Sequence, residues 1–527
     1  MLLVDELRRR YAALGTRRVV WICAVAAVLL HFPALMWPLG PDESGYTLVG
    51  RHWDPGPGSL YGDYWVDRPP LLVLLYRWAD LVGGPYFLRL VAAVGCGWLV
   101  VVAARTAYLV NGARAARWTA VVATALTSTT LIDPVQAKGE VLGIPIVMTS
   151  ILLSVEALAA LGLGSGQERA PRRLRAVALA AGAGFFATLV LGMKQNMVTG
   201  LVFGGVLLLT SVVVGRLSRG DFLRLTAAAL LGAAVPIVAT LGWCLAAGVG
   251  LDELAYAVFG FRSDALEVIG SQMLGNSKKR AVIITLFFVL TGMALFMVLL
   301  ATRLREAWRA HPGITAATCA VIAVDGASLG LSGSFWSPYL HLLTPATLLA
   351  VLLLAGASET AYTWARRSVG FAVASAAAGL VVWVGQNAVG FTSPQAYATG
   401  EAIEAAAQRG DTIMVHGGRA DIVMGANLAA PYPYLWSLPM RALDGDRTQM
   451  VEHLTGEDRV TWFVEWIPLD EWTSEGTIDL EVALDLGYVR HGSACGGAPV
   501  YLRNDVERAD LAPECGSPWR MWDRLLD

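Results

Sequence analysis

Apolar residues in this chain come in long unbroken blocks. Eleven stretches come close to or exceed the roughly 20 residues a helix needs to cross a bilayer. They lie at about residues 19–37, 86–110, 116–132, 141–162, 176–193, 197–215, 222–247, 281–301, 313–331, 340–357 and 368–390. A further apolar stretch, 69–82, is too short to cross and reads as a helix lying along the interface. After residue 390 the pattern changes. Residues 399–409 read as a helix, "DTIMVHGG" and "RVTWFVEWIP" as buried strands ending at turns, and "GYVRHG" with "APVYLR" as a late hairpin. The pattern predicts a polytopic α-helical membrane domain over 1–390, with about 11 transmembrane helices and a first outer loop at 38–85. A C-terminal α/β domain follows over 391–527. No internal repeat is visible, which disfavours transporter folds built from repeated halves.

Composition agrees. Of the 527 residues 55% are hydrophobic and only 16% charged, against about 25% charged in soluble domains. That excludes an ordinary soluble enzyme and a disordered chain. A net charge of −2 provides no global field for nucleic acid. The small sum hides an asymmetry. Residues 1–390 carry 30 Lys+Arg against 20 Asp+Glu, whereas 391–527 carry 10 against 22 and no Lys.

Positive charge sets the orientation. With the N-terminus in the cytoplasm, the inner segments hold 20 basic residues, among them Arg8, Arg9, Arg10, Arg169, Arg216, Arg303 and Arg366. The outer loops hold eight: Arg51, Arg68, Lys138, Lys194, Arg262, Lys278, Lys279 and Arg280. Eleven spans then leave the acidic C-terminal domain outside a plasma membrane. Cys495 and Cys515 fall in that domain, where a disulfide is permitted and two free thiols are the alternative. Cys23, Cys96, Cys244 and Cys319 sit in apolar runs as small hydrophobes.

The first outer loop concentrates the chemistry. It holds Asp42, Glu43, Asp54, Asp63, Asp67 and Arg68, with His52, Trp53, Tyr61, Tyr64 and Trp65 among them and Pro69-Pro70 at its exit. A carboxylate just outside a span can deprotonate a water-soluble hydroxyl while the other reactant stays in the bilayer. The plainer alternative is a solvated loop with aromatic anchors. "DPVQAKGEV" places Asp133, Lys138 and Glu140 at the same face. Glu140 opens an apolar run, either as a helix cap or as a buried acid with Lys138 as its local partner. "GMKQNM" puts Lys194 and Gln195 in a tight hairpin, where a cation suits an anionic headgroup or snorkels to the interface. Tyr339 and His341 enter the tenth span, His341 as a ligand to substrate or as a structural residue. Asp325 lies inside the ninth span, as a structural polar contact or part of a transport path. Trp436, Trp462, Trp466 and Trp472 read as core of the C-terminal domain, with glycan binding the alternative. The sequence contains no P-loop, HExxH, Cys-x-x-Cys or Gly-x-Ser-x-Gly pattern.

An Asp-Glu pair after the first span, followed by "YGDYWVDRPPLLVLLY", resembles the first loop of GT-C type membrane glycosyltransferases. The pattern is nearest to the family-39-like enzymes, which include protein O-mannosyltransferases and lipid A aminoarabinose transferases. Where those enzymes usually have Asp-Lys-Pro-Pro, this chain has Asp67-Arg68-Pro69-Pro70. "AKGEV" resembles their second acidic loop and "KQN" the Lys-Gln pair that often opens the sixth span. "SPYLHLLTPATLLA" resembles an aromatic-rich segment that often reads His-Tyr-x-Leu-Gln-Leu. Here Ser337 stands at that His and His341 at that Gln.

The resemblance implies inverting transfer of a sugar from a polyprenyl-phosphate-linked donor to an acceptor hydroxyl at the outer face. The acceptor is a glycan, a lipid or a protein. Asp42 is then the general base, with Glu43 orienting it or binding sugar hydroxyls. Arg68 and Lys194 hold the donor phosphate. Asp67, Lys138, Glu140, Gln195, Tyr339 and His341 line the cavity around donor sugar or acceptor. No cofactor is required, and Asp42 with Glu140 is the pair to which a divalent metal would fall. The competing expectation is a membrane transporter for a polar or anionic solute, which would place its ionisable residues near the midplane. A scaffold displaying the acidic domain would not need Arg68, Lys194 and the acids together.

Overall fold

A computed structural model describes residues 15–133, 136–163, 172–271, 274–356, 359–388, 395–472 and 476–515. The predicted domain boundary at 390 lies outside these residues, as do Arg8, Arg9, Arg10 and Arg169 from the orientation count. The chain divides into two compact units. The first takes the described residues of Met1–Ala34, Arg89–Leu241 and Gly275–Val382; the second takes those of Leu35–Leu88, Gly242–Leu274 and Trp383–Asp527. The C-terminal segment thus forms one unit with residues 35–88 and with 242–274, two segments the sequence division assigns to the membrane domain.

Among the described residues eight helices are long and apolar enough to cross a membrane: Thr16–Met36, Phe87–Ser128, Gly139–Ala160, Arg173–Gly192, Arg219–Ala247, Pro312–Gly330, Ser337–Leu354 and Thr363–Gln386. A ninth is a broken span, Ser277–Leu290 with Met293–Thr302, bent by 67°. Every predicted stretch falls on a helix, but length and apolarity alone give eight or nine spans, not eleven. The predicted pair 86–110 and 116–132 is two helices within Phe87–Ser128 that meet at a kink, where Asn111 and Gly112 leave helical backbone and Gly112 takes a φ of 73°. Thr199–Val213, on the predicted span 197–215, has 15 helical residues, fewer than a bilayer needs. The protein is a multi-span membrane protein.

Small residues set the spacing of the first unit. A Cβ on Gly184 would stand 1.9 Å from the Ala229 carbonyl oxygen, and one on Gly232 1.9 Å from that of Ala181. Two apolar helices in lipid gain no hydrophobic drive from meeting, so close backbone approach is what holds them. Asp325 is buried in this unit and accepts from the Thr199 hydroxyl at 2.9 and 3.0 Å, a structural polar contact.

In the second unit a four-stranded sheet has the order β1-β2-β4-β3, with β1 Ile413–His416, β2 Trp462–Glu465, β3 Tyr488–Ser493 and β4 Pro499–Arg503. β1 and β2 are parallel and the other pairs antiparallel, so the predicted strands and late hairpin lie in one sheet. Met414, Phe463, Leu480, Leu484 and Tyr488 build its core. Cys495 and Cys515 are disulfide-bonded. Of the four C-terminal tryptophans expected in the core, only Trp462 is fully buried there, its indole donating to Asp411 at 3.1 Å.

Candidate active site

In the second unit the predicted acids open a helix. Pro41–Arg51 starts with Gly40 as cap and Pro41 in its first turn, where a missing N–H costs nothing. Asp42 and Glu43 follow in that turn, favoured by the helix dipole. Glu43 is 1% exposed and its carboxylate accepts from the Gly40 amide at 3.2 Å. That bond is the Glu43 half of a capping box, glycine having no side chain for the other half, and it steadies the turn that carries Asp42.

Asp42 accepts from the Trp436 indole Nε1 at 3.1 Å. Trp436 reaches it by lying across the helix. Its ring sits 5.2 Å from that of Tyr46, and a Cβ on Gly45 would stand 2.2 Å from it. Glycine at 45 is therefore what lets the indole descend onto the carboxylate. Trp436 is held by a bridge to Arg419 and caps the helix Ser437–Leu443. No local pattern links Asp42 to a tryptophan 394 residues away, so the sequence reading missed this partner.

The second helix of the loop, Pro70–Gly83, has Pro69 at its cap. It confirms the short apolar helix expected at 69–82. Its contacts with Pro41–Arg51 climb both helices in the same sense: Tyr46 on Tyr76 at 5.2 Å, the Gly50 carbonyl on Arg77 at 2.7 Å, and Arg51 on Asp80 at 2.8 Å. The two N-termini, one carrying Asp42 and Glu43 and the other preceded by Asp67 and Arg68, therefore lie at the same end. Two helix N-termini together favour a negative group there. Arg68 forms an ion pair with Asp67 at 2.6 Å, and its carbonyl accepts from the Tyr61 hydroxyl. Burial pushes the Tyr64 phenol in the same loop up to about 12.

In the first unit Glu140 opens the helix Gly139–Ala160 and is 4% exposed. Its ion-pair partner is Lys194, not the neighbouring Lys138 that the sequence suggested. Lys138 pairs with Asp133 at 3.3 Å. The Lys194 ammonium also lies 4.4 Å over the Tyr339 ring. Three expected residues, Glu140, Lys194 and Tyr339, thus meet. Gln195 follows in the same turn, and His341 is buried in the 3-10 segment Ser337–Leu343. Arg280 of the basic cluster 278–280 donates to the Ser334 carbonyl at 2.8 Å and lies 4.6 Å over Trp336. Among the described residues no three His, Cys, Asp or Glu side chains gather closely enough to hold a metal ion.

No family model matches the chain, and no curated protein matches it by sequence. Solved structures do match. ArnT from Cupriavidus metallidurans in the apo state is 13% identical with a TM-score of 0.58, over 91% of this chain and 97% of that one. The same enzyme bound to undecaprenyl phosphate is 14% identical with a TM-score of 0.59, over the same shares. The archaeal oligosaccharyltransferase AglB from Archaeoglobus fulgidus, in complex with an inhibitory peptide and a dolichol-phosphate, is 12% identical over 93% of this chain and 75% of that one. Its TM-score of 0.49 is too low to carry an argument. The similarity to ArnT, spread over nearly the whole of both chains, shows that this membrane protein shares the fold of ArnT.

Proposed function

We propose that the protein is a glycosyltransferase that takes a sugar from a polyprenyl-phosphate donor and passes it, with inversion, to an acceptor hydroxyl at the outer face of the membrane. The observation that carries the proposal is Asp42 itself. It is a carboxylate at the start of a helix, held by the Trp436 indole, at the end where the Arg68 helix also begins. ArnT, similar in fold, has been solved with undecaprenyl phosphate bound, which supports the donor class.

The acceptor hydroxyl loses its proton to Asp42 as its oxygen attacks the anomeric carbon. The bond from that carbon to the phosphate oxygen breaks, and the polyprenyl phosphate leaves with the electron pair. Negative charge grows on the leaving phosphate, where a fixed cation lowers the barrier most. Arg68 supplies that charge in the second unit, and Asp67 holds it in place. In the first unit Lys194, held by Glu140, is a second cation suited to an anionic group. The Trp436 hydrogen bond orients one oxygen of Asp42, and the capping bond of Glu43 keeps the turn rigid. The N-terminus lies in the cytoplasm and the C-terminal domain outside, as the basic residues direct.

General-base catalysis contributes about 10²–10⁴-fold. Asp42→Asn keeps the shape and removes the base, so turnover of a polyprenyl-phosphoryl sugar should fall at least a hundredfold with donor affinity retained. Wild-type turnover in this variant removes Asp42 as the base.

A further inference from the structure

A second cavity lies in the C-terminal part of the second unit, lined among others by Val268, His416, Met440, Met450 and Trp472. Its volume is about 190 Å³. A single water needs only about 10–15 Å³, and roughly 150 Å³ takes up a benzene ring, so one six-membered ring fits. His416 ends β1 and is completely buried. Its Nδ1 is 3.1 Å from the Ile467 carbonyl and must donate to it. The ring is neutral, because burial lowers its pKa to about 4. Nε2 is then a lone-pair acceptor, and it has no partner among the described residues. A buried acceptor left unmade is destabilising, so the cavity favours an occupant that brings a donor.

The charged groups of the wall are already engaged. Asp444 takes the Tyr432 hydroxyl at 2.8 Å and the Gln449 and Met450 amides at 3.0 and 3.1 Å. Arg447 donates to Thr477 at 3.0 Å and is attracted by both Asp444 and Asp470. Arg441 donates to the Val268 carbonyl at 3.4 Å and lies 5.4 Å over the Trp472 ring. None of these contacts requires an ion, and a cationic donor would meet two guanidiniums. The donor that suits His416 is therefore a neutral hydroxyl. The rest of the wall is apolar or aromatic: Val268, Met440, Met450 and Trp472, whose indole lies 5.0 Å from the His416 ring. Ligand sites commonly pair such walls with a few placed polar groups. A pyranose matches both parts, with hydroxyls at its edge and C–H groups on its faces.

We propose that this cavity binds one neutral hexose unit of a glycan, with a hydroxyl donating to His416 Nε2 and the C–H groups of the ring against Met440, Met450 and Trp472. The proposal concerns binding, not turnover, so it stands or falls separately from the transferase proposal. The test titrates methyl glucoside, methyl mannoside, methyl galactoside and cyclohexanol into the full-length protein in a sugar-free detergent, followed by saturation-transfer NMR. Saturable binding of at least one glycoside is expected, at least tenfold tighter than cyclohexanol. His416→Phe keeps a ring and removes the acceptor, and should weaken that binding at least tenfold. Trp472→Leu, at a half-buried position, should weaken it likewise and decides alone should His416→Phe fail to fold. Asp42→Asn should leave it unchanged. The proposal is overturned if no glycoside binds, if cyclohexanol binds as tightly, if the folded cavity variants bind as wild type does, or if Asp42→Asn abolishes binding.

Discussion

Asp42 and Lys194 show how far single residues can be read. Their types and their positions beside apolar stretches are visible in the sequence. Their partners are not: Trp436 stands 394 residues from Asp42, and Glu140 stands 54 from Lys194. The nearer candidate, Lys138, is taken up by Asp133. A neutral donor on a carboxylate is worth about 1.5–3 kcal/mol. Trp436→Phe keeps the ring against Tyr46 and loses only that bond, so turnover should drop about tenfold with the melting temperature almost unchanged. An unchanged rate would make the contact incidental. The buried Glu140–Lys194 pair gives a second test. Lys194→Met strands a buried carboxylate and should cost about 3–5 kcal/mol. Glu140→Leu with Lys194→Met removes both charges and should recover most of that stability, but not the activity. Recovery of both would assign the pair a structural role.

At the scale of elements, apolar runs are legible because a bilayer demands them. The break at Asn111-Gly112 falls in the polar gap left between the stretches 86–110 and 116–132, whereas the bend of the 277–302 pair was harder to see, because hydropathy is continuous through it. Pro69-Pro70 marked the start of the second loop helix correctly, since proline is pre-set for a first turn. What no pattern conveyed is that this helix lies alongside Pro41–Arg51 in the same sense and brings two N-termini together. Gly45 tests that arrangement. In an isolated helix Gly→Ala gains about 1 kcal/mol. Here the new Cβ would meet Trp436 at 2.2 Å, and overpacking costs about 1–3 kcal/mol. Gly45→Ala should therefore destabilise the protein and slow turnover much as Trp436→Phe does. A more stable, fully active variant would show that the indole does not rest on this helix.

For the molecule as a whole, the change at residue 390 from basic and apolar to acidic and mixed foretold a separate C-terminal fold, and the sheet and disulfide are there. It did not foretell that this fold would build one compact unit with residues 35–88 and 242–274. Compact units follow side-chain contacts, whereas hydropathy reports only which stretches are apolar. The proposed donor is a polyprenyl-phosphate sugar. Mass spectrometry of the lipids that co-purify with the protein, before and after loading with excess polyprenyl phosphate, tests it most directly. The account predicts a polyprenyl phosphate or its sugar conjugate on the wild type, and its loss from Arg68→Ala/Lys194→Ala. Equal amounts on both proteins, or none on the loaded wild type, would contradict it.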